Sequence, residues 1–563
     1  MRNARSLVAM AAAAIGVVAM PAHADGPRDA GGDPADPGAL LTVAELSDYK
    51  ATARHDEVVG LLDRLAAASP LGRRASMGRS VEGREIPLLI LADPPVQTAQ
   101  DAARQVAERG KLVVLLIGNI HGGEVDGKEA LPMLARELIG DPPRSRLHPL
   151  LRDLIVVMAP IYNCDGNERV SKDNRPGQVG PEDGMGVRHN ADGLDLNRDF
   201  IKLEAPETRG LVEMFNRWDP AVFIDTHTTN GSFHRYVLTY EGPRALAGDM
   251  RIVRFVREAL LPEVDRAVQR DYGFDTFFYG DFDRDHARWE SYPAQGRYGT
   301  SYVGLRNRIA ILTEGYSYAP YKDRVLATRD FVRACLQYTA DNKERIRKLL
   351  ADADQATVAA GRKPGDPVAI RTRPGHAPQK VIAAGYVEEV RDGKRVPTEP
   401  KDYEVELWSH AEPALTVARP FAYLVPPDRL PPDSEVSRHS ALVIEKLRLH
   451  GIELSELREP LETEVEVYRI ERVRTGREPL QKRSMRTAET GMRRERRTLP
   501  AGTIVVPTAQ RLGSLAVYLL EPQCEDGLAT WDFFGNALAP EMDFPVLRVA
   551  APVELPLRPP AAR

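Results

Sequence analysis

The sequence predicts an α/β fold: a mixed, largely parallel central sheet flanked by helices, followed by a smaller β-rich or mixed C-terminal domain. Three observations carry that expectation. The runs 111–117, 154–159, 221–224 and 309–312 are apolar without alternation, which suits strands covered on both faces of a parallel sheet. Segment 129–139, between the first two runs, has the apolar spacing of an amphipathic helix. Beyond Lys348 the texture changes to short β-like runs at 403–407, 422–425, 464–473 and 503–506.

From the start of the chain, Arg2 and Arg5 precede an apolar stretch over 7–20, and Ala22-His23-Ala24 supplies a small-x-small pattern. That order reads as a secretory signal over 1–24, cleaved after Ala24, and hence a periplasmic or secreted protein. An apolar stretch of roughly 14 residues falls short of the ~20 that a membrane span needs. Residues 25–42 are rich in Gly, Pro and Asp and read as a linker. A helix is expected over 44–68, where Val58, Leu61, Leu62 and Leu65 share a face, and a hairpin over 75–91 around Val81-Glu-Gly-Arg84. The sheet-forming region is bounded as 43–348. Residues 349–380, with Gly, Pro and Ala and little periodicity, read as a second linker, and 381–563 as the C-terminal domain. Within the latter, the Arg-dense stretch 469–497 reads as a solvated or irregular excursion.

At 563 residues the chain exceeds what one ordinary core supports. Its 43% apolar and 28% charged residues are those of a globular protein. A net charge of -5 gives no reason to expect nucleic acid or an anionic membrane as the main partner. Three cysteines exclude a disulfide-dense scaffold, and Cys164 reads as a buried structural thiol.

In open sheets of this class, ligands bind beyond the carboxyl ends of the strands. Four segments fall there: His121-Gly-Gly-Glu124, Asp195-Leu-Asn197-Arg198, Asp225-Thr-His227 and Thr313-Glu314-Gly. The spacing of His121 and Glu124 lets an imidazole nitrogen and a carboxylate oxygen reach one ion at about 2.0–2.2 Å. Asn119 and Gly122-Gly123 mark a tight turn with little side-chain bulk above the metal. His227 lies on the same edge, whereas His234 lies past Asn230-Gly231, where the chain is expected to turn away. Two imidazoles and a carboxylate make an open zinc site with a position left for water or substrate. Glu314, ending a buried strand, is then available as general base. That combination points to metal-assisted hydrolysis.

With these residues in view, the chain resembles the zinc carboxypeptidase (carboxypeptidase A-like) metallopeptidases. The matching pieces are Ser76-Met-Gly-Arg-Ser-Val-Glu-Gly-Arg84, Gly118-Asn-Ile-His-Gly-Gly-Glu124, Leu194-Asp-Leu-Asn-Arg-Asp199, Asp225-Thr-His227 and Leu312-Thr-Glu-Gly315. They lie in the family's order over about residues 45–345, each of modest specificity alone and highly specific together. The resemblance implies one Zn²⁺ held by His121, Glu124 and His227, with Glu314 moving protons. It implies that Asn197 and Arg198 hold the terminal carboxylate of a peptide substrate, and that Asp195 stands behind the first histidine. A further arginine polarises the scissile carbonyl in that family. Arg169, Arg175 and Arg188 are the candidates, and Arg175 is the one favoured. The substrate-capping tyrosine lies among Tyr292, Tyr298, Tyr302, Tyr316 and Tyr318.

The expected activity is release of the C-terminal residue from peptides. A zinc-dependent deacylase of N-acyl amino acids and an inactive peptide- or cell-wall-fragment-binding protein are the alternatives. The deacylase also needs a free carboxylate, so Arg198 does not separate it from a peptidase, whereas intact ligands together with Glu314 speak against the binding protein.

Overall fold

Eight strands form the central sheet of the computed structural model, which describes residues 40–140, 147–427 and 435–560. The expected signal segment and most of the first linker lie outside the described residues. The strands are β1 (Gly72–Arg79), β2 (Glu85–Leu91), β3 (Leu112–Gly118), β4 (Leu154–Ala159), β5 (Val222–Thr229), β6 (Leu238–Glu241), β7 (Thr276–Phe278) and β8 (Ile309–Tyr316). Their order across the sheet is β1-β2-β4-β3-β5-β8-β6-β7. The four middle strands β4, β3, β5 and β8 run parallel, while β2 and β6 join them antiparallel. The sheet is thus mixed with a parallel centre. β3 and β4 are buried along their whole lengths, which explains their unbroken apolar sequences.

Helices cover both faces. Helix α1 (His55–Ala67) buries Val58, Leu61, Leu62 and Leu65. The expected single helix over 44–68 is broken, because Asp48 and Tyr49 take left-handed backbone conformations and end a first short helix, Val43–Leu46. Helix α2 (Asp126–Ile139) follows the loop after β3 and packs on α3 (Tyr321–Asp341). Between them Arg324 Nε and Asp126 Oδ2 form a fully buried ion pair at 3.0 Å.

Two further sequence expectations differ from the structure. Residues 349–380 are not an irregular linker: a helix spans Lys343–Arg362 and a strand spans Pro367–Gly375. The helix buries Ile346, Leu350, Ala353, Thr357 and Gly361. Three of those five residues are Ala, Thr and Gly, so the period carries little hydrophobic signal. The Arg-dense stretch is regular too. β9 (Leu461–Thr475) and β10 (Arg486–Leu499) pair antiparallel in a long hairpin. Its arginines meet acids: Arg494 pairs with Glu466 and Arg496 with Glu462 across the strands, and Arg493 with Asp543 of a later segment.

This hairpin belongs to a seven-stranded sheet of the C-terminal region, which packs directly on the region of the central sheet. One hydrophobic core runs from Leu62 through Phe223 and Tyr302 to Trp531. Tyr302 Oη lies 2.8 Å from His450 Nδ1, and Arg297 pairs with Asp526 at 2.9 Å. The cysteines are unpaired and buried; Cys164 donates its thiol hydrogen to the carbonyls of Glu85 and Ile161.

Candidate metal centre and substrate cavity

The first donors sit on the loop leaving β3. Asn119 takes a left-handed conformation, φ 64°, and its Nδ2 donates to the carbonyls of His121, Gly122 and Glu124 at 3.1–3.3 Å. The loop is thereby curled so that His121 and Glu124 face one point. Gly122 is required for a reason the sequence does not show. A Cβ there would lie 2.3 Å from the Gly166 carbonyl carbon, so the glycine serves packing against the neighbouring loop rather than free space above a metal.

His121 Nδ1 lies 2.9 Å from Glu124 Oε1, and His227 Nδ1 lies 2.9 Å from Glu124 Oε2. All three residues are buried, and one ligand atom from each lies within 4.8 Å of the others. The outer nitrogens face carboxylates. His121 Nε2 is 3.0 Å from Asp195 Oδ1, and His227 Nε2 is 2.8 Å from Asp225 Oδ2. The first contact is a hydrogen bond; the second falls short of hydrogen-bond geometry. Glu124 also accepts the Thr228 N–H and an Arg175 guanidinium N–H, each at 3.1 Å.

Charge sets the protonation of these acids. Burial works against ionisation, yet His121 and Arg175 hold the Glu124 carboxyl well below the usual carboxylate range. Asp195 is likewise held low against its burial by His121 and Arg188. Glu314 goes the other way: burial pushes it up to about 8, with His227 pulling down and Glu124 pushing up.

A cavity of about 400 Å³ opens over this set. Its walls include His121, Glu124, His227, Glu314, Asn197, Arg198, Arg175 and Arg188, and Asp195 stands directly behind His121. Asn197 Oδ1 accepts the Gly299 N–H at 2.9 Å, and its Nδ2 lies 3.5 Å from His227 Nε2. The Arg198 guanidinium stacks 4.4 Å from the centre of the Tyr298 ring.

Arg175 and Arg188 both line the cavity, whereas Arg169 reaches out to Glu82. Arg175 spends Nε on Gln178, Nη1 on Glu124 and Nη2 on the Thr228 carbonyl. Arg188 donates Nε to Asp195 at 2.8 Å and brings Nη1 within 3.4 Å of His121 Nδ1. Of the tyrosines, Tyr292 and Tyr298 line the cavity. Tyr302 is bonded to His450, and Tyr316 stacks on His234 at 3.8 Å, so His234 is packed among aromatic rings.

Sequence reasoning assigned no role to Asp225 or Tyr279. Asp225 lies two positions before His227 on one strand and so shares its face, a signal present in the sequence. Tyr279 also lines the cavity and follows no motif.

Residues 58–241 match the family model for zinc carboxypeptidases. Carboxypeptidase 2 of Trichophyton tonsurans is 23% identical over 526 residues, covering 88% of this chain and 86% of that enzyme. A share that large reaches beyond residues 43–348 into the C-terminal region. Carboxypeptidase D of Mus musculus is 37% identical over 186 residues, covering 29% of this chain and 13% of that protein. Among solved structures, a metallo-carboxypeptidase from Burkholderia cenocepacia aligns with a TM-score of 0.36 and 17% identity, covering 51% of this chain and 68% of that one.

Proposed function

From the zinc carboxypeptidase model that residues 58–241 match, we propose that the chain is an exported enzyme removing the C-terminal residue of peptides, with Glu314 as general base and acid. One observation carries this: the three-donor set, Glu314 and the Asn197–Arg198 pair share the wall of one cavity.

The donor set fits the family's metal. Two imidazole nitrogens and a carboxylate converge with a carboxylate behind each ring, the chemistry zinc prefers. Bound by His121, Glu124 and His227, zinc supplies Lewis acidity toward water and the scissile carbonyl. The chain's own residues do the rest. Arg198, held flat by Tyr298, offers its planar donors to the terminal carboxylate, and Asn197 Nδ2 adds another. Glu314 takes the proton of the attacking water and passes it to the leaving amine.

The geometry favours Arg188 over Arg175 for the scissile carbonyl oxygen. Each nitrogen of the Arg175 guanidinium already makes one hydrogen bond, to Gln178, Glu124 and the Thr228 carbonyl. Arg188, by contrast, holds Asp195 through Nε and Nη2 and leaves Nη1 without a carboxylate or carbonyl acceptor at hydrogen-bond distance among the described residues. Arg188 Nη1 stands at the edge of the donor set. Arg175 then keeps Glu124 ionised and oriented. Export rests on the basic, apolar, small-x-small order of residues 1–24.

The test compares a free-acid peptide with its C-terminally amidated twin, before and after chelation and after Zn²⁺ is returned. Mass spectrometry is expected to show single-residue loss from the free acid alone, abolished by chelation and restored by zinc. Equal cleavage of the two peptides would reject the reading.

A further inference from the structure

The hairpin of β9 and β10 ends in the turn Leu480-Gln481-Lys482-Arg483, closed by reciprocal backbone bonds between Leu480 and Arg483 at 2.9 and 3.0 Å. Gln481 and Lys482 both have left-handed backbones, φ 52° and 63°. That is a turn geometry normally filled by Asn and Gly. Side chains other than these are retained there when surrounding contacts hold them.

Those contacts are made to the catalytic region. Gln481 Oε1 accepts the main-chain N–H of Asp195 at 2.7 Å, across 286 positions of sequence. Two residues on, Arg483 donates Nε and Nη2 to Glu204 Oε1 at 2.7 and 2.6 Å, with its guanidinium 4.0 Å over the Phe533 ring. Asp195 and Glu204 bracket the segment that bears Asn197 and Arg198, so one turn holds both its ends. Inside the segment the Asp195 carboxylate accepts the Asn197 N–H at 2.9 Å, the His121 imidazole and the Arg188 guanidinium. A shift of the Asp195 backbone therefore moves the start of the Asn197–Arg198 turn.

We propose that the tip of this C-terminal hairpin is a positioning element of the active site. Gln481 sets the Asp195–Arg198 turn so that Arg198 meets the terminal carboxylate of the peptide, and Arg483 pins the far end of the segment through Glu204. Gln481 touches no substrate in this arrangement; it acts through Asp195. The proposal rests on the reading of Arg198 as the carboxylate anchor. It gives the C-terminal region a function beyond stability, which is to complete the geometry of a cavity whose walls lie in the catalytic region.

The experiment uses the full-length zinc-loaded protein and three variants. Gln481→Met keeps the volume and removes the acceptor, Gln481→Glu keeps an acceptor oxygen, and Arg483→Met removes the Glu204 contact. Amide hydrogen exchange over 193–204 is followed without substrate, and kcat and KM are measured on a free-acid peptide. Gln481→Met and Arg483→Met are expected to speed exchange in that segment and lower kcat/KM about 2- to 13-fold, chiefly through KM, the loss of one ordinary hydrogen bond. Gln481→Glu should restore both readouts. Unchanged exchange in folded Gln481→Met would overturn the contact, and faster exchange with unchanged kcat/KM would overturn the positioning role. A wild type indifferent to amidation overturns the Arg198 reading and the proposal with it, whereas a wild type that prefers the free acid leaves the variants to decide the proposal alone.

Discussion

Glu314 and His227 are direct register partners on the adjacent parallel strands β8 and β5. Two positions earlier, Leu312 and Asp225 are partners as well. Side chains two apart on a strand share a face, and all four of these residues line the same cavity. The sheet itself therefore delivers a metal donor, the carboxylate behind it and the proposed base to one wall. A one-residue slip of β8 would turn Glu314 to the opposite face, so the long apolar stretch Ile309–Leu312 that fixes the register also fixes the base.

This arrangement separates metal binding from proton transfer. His121→Ala and His227→Ala are expected to lose zinc, measured as metal per chain after dialysis, together with activity. Glu314→Gln removes a group that coordinates nothing in the proposed scheme. It should keep stoichiometric zinc while kcat falls by the ~10²–10⁴-fold that a general base contributes. Full turnover in Glu314→Gln would sink its assignment as the base.

How much of this site was legible in the sequence follows from where each residue lies. His121 follows one apolar strand, and His227 and Glu314 lie near the ends of two others, after apolar runs whose pattern survives because both faces of the parallel centre are buried. The helix Lys343–Arg362 hid because Ala353, Thr357 and Gly361 bury a face without hydrophobic contrast. Gly361 allows contact so close that a Cβ there would lie 2.2 Å from the Ala509 nitrogen. The choice between Arg175 and Arg188 was hidden for a different reason. Both arise from an irregular loop, and only the folded chain shows that Arg175 holds Glu124, Gln178 and the Thr228 carbonyl while Arg188 holds Asp195. Gln481 carries no local signal at all, since its contact with Asp195 is set by the reach of a hairpin from the other end of the chain.

The two carboxylates behind the imidazoles are not equivalent. Asp195 makes a hydrogen bond to His121, whereas Asp225 approaches His227 without one. Asp195→Asn is therefore expected to weaken zinc binding within the ~10–100-fold range typical of such partners, and Asp225→Asn by less. Competition with a calibrated chelator measures both. A larger loss in Asp225→Asn would reverse the ranking.

Arg188 and Arg175 are predicted to fail differently. Arg188→Ala removes a donor from the developing oxyanion and should lower kcat by about 10²–10³-fold, as losses of single oxyanion donors do. Arg175→Ala removes a cation from Glu124 and should show itself first as weaker zinc affinity, with kcat near wild type at saturating metal. The reverse pattern, with kcat lost in Arg175→Ala at full zinc occupancy, would return the carbonyl-binding role to Arg175.

The anchor role of Arg198 has a structural rival, in which the guanidinium merely pairs with a neighbouring acid. Asp199 and Glu204 are the acids nearest in sequence downstream, and both are engaged elsewhere. Asp199 is paired with Lys202, and Glu204 holds Arg483. Arg198 instead donates Nη1 to the Asn197 carbonyl at 2.9 Å, comes no nearer than 4.0 Å to Asp195 and stacks on Tyr298. Arg198 lines the cavity, and none of these contacts neutralises its charge with a close carboxylate. Losing a charge-assisted contact costs about 1.5–3 kcal/mol, or roughly 10–150-fold in kcat/KM. Arg198→Ala should show a loss of that size on the free-acid peptide and none on the amidated one, erasing the preference between them. Tyr298→Leu keeps the charge and removes the ring beneath it. An exposed cation–π contact is worth about 0.5–1 kcal/mol, so this variant should lose only about 2- to 5-fold and retain the preference for the free acid. If Arg198→Ala slows both peptides equally, the arginine supports the fold of the turn and does not bind the carboxylate.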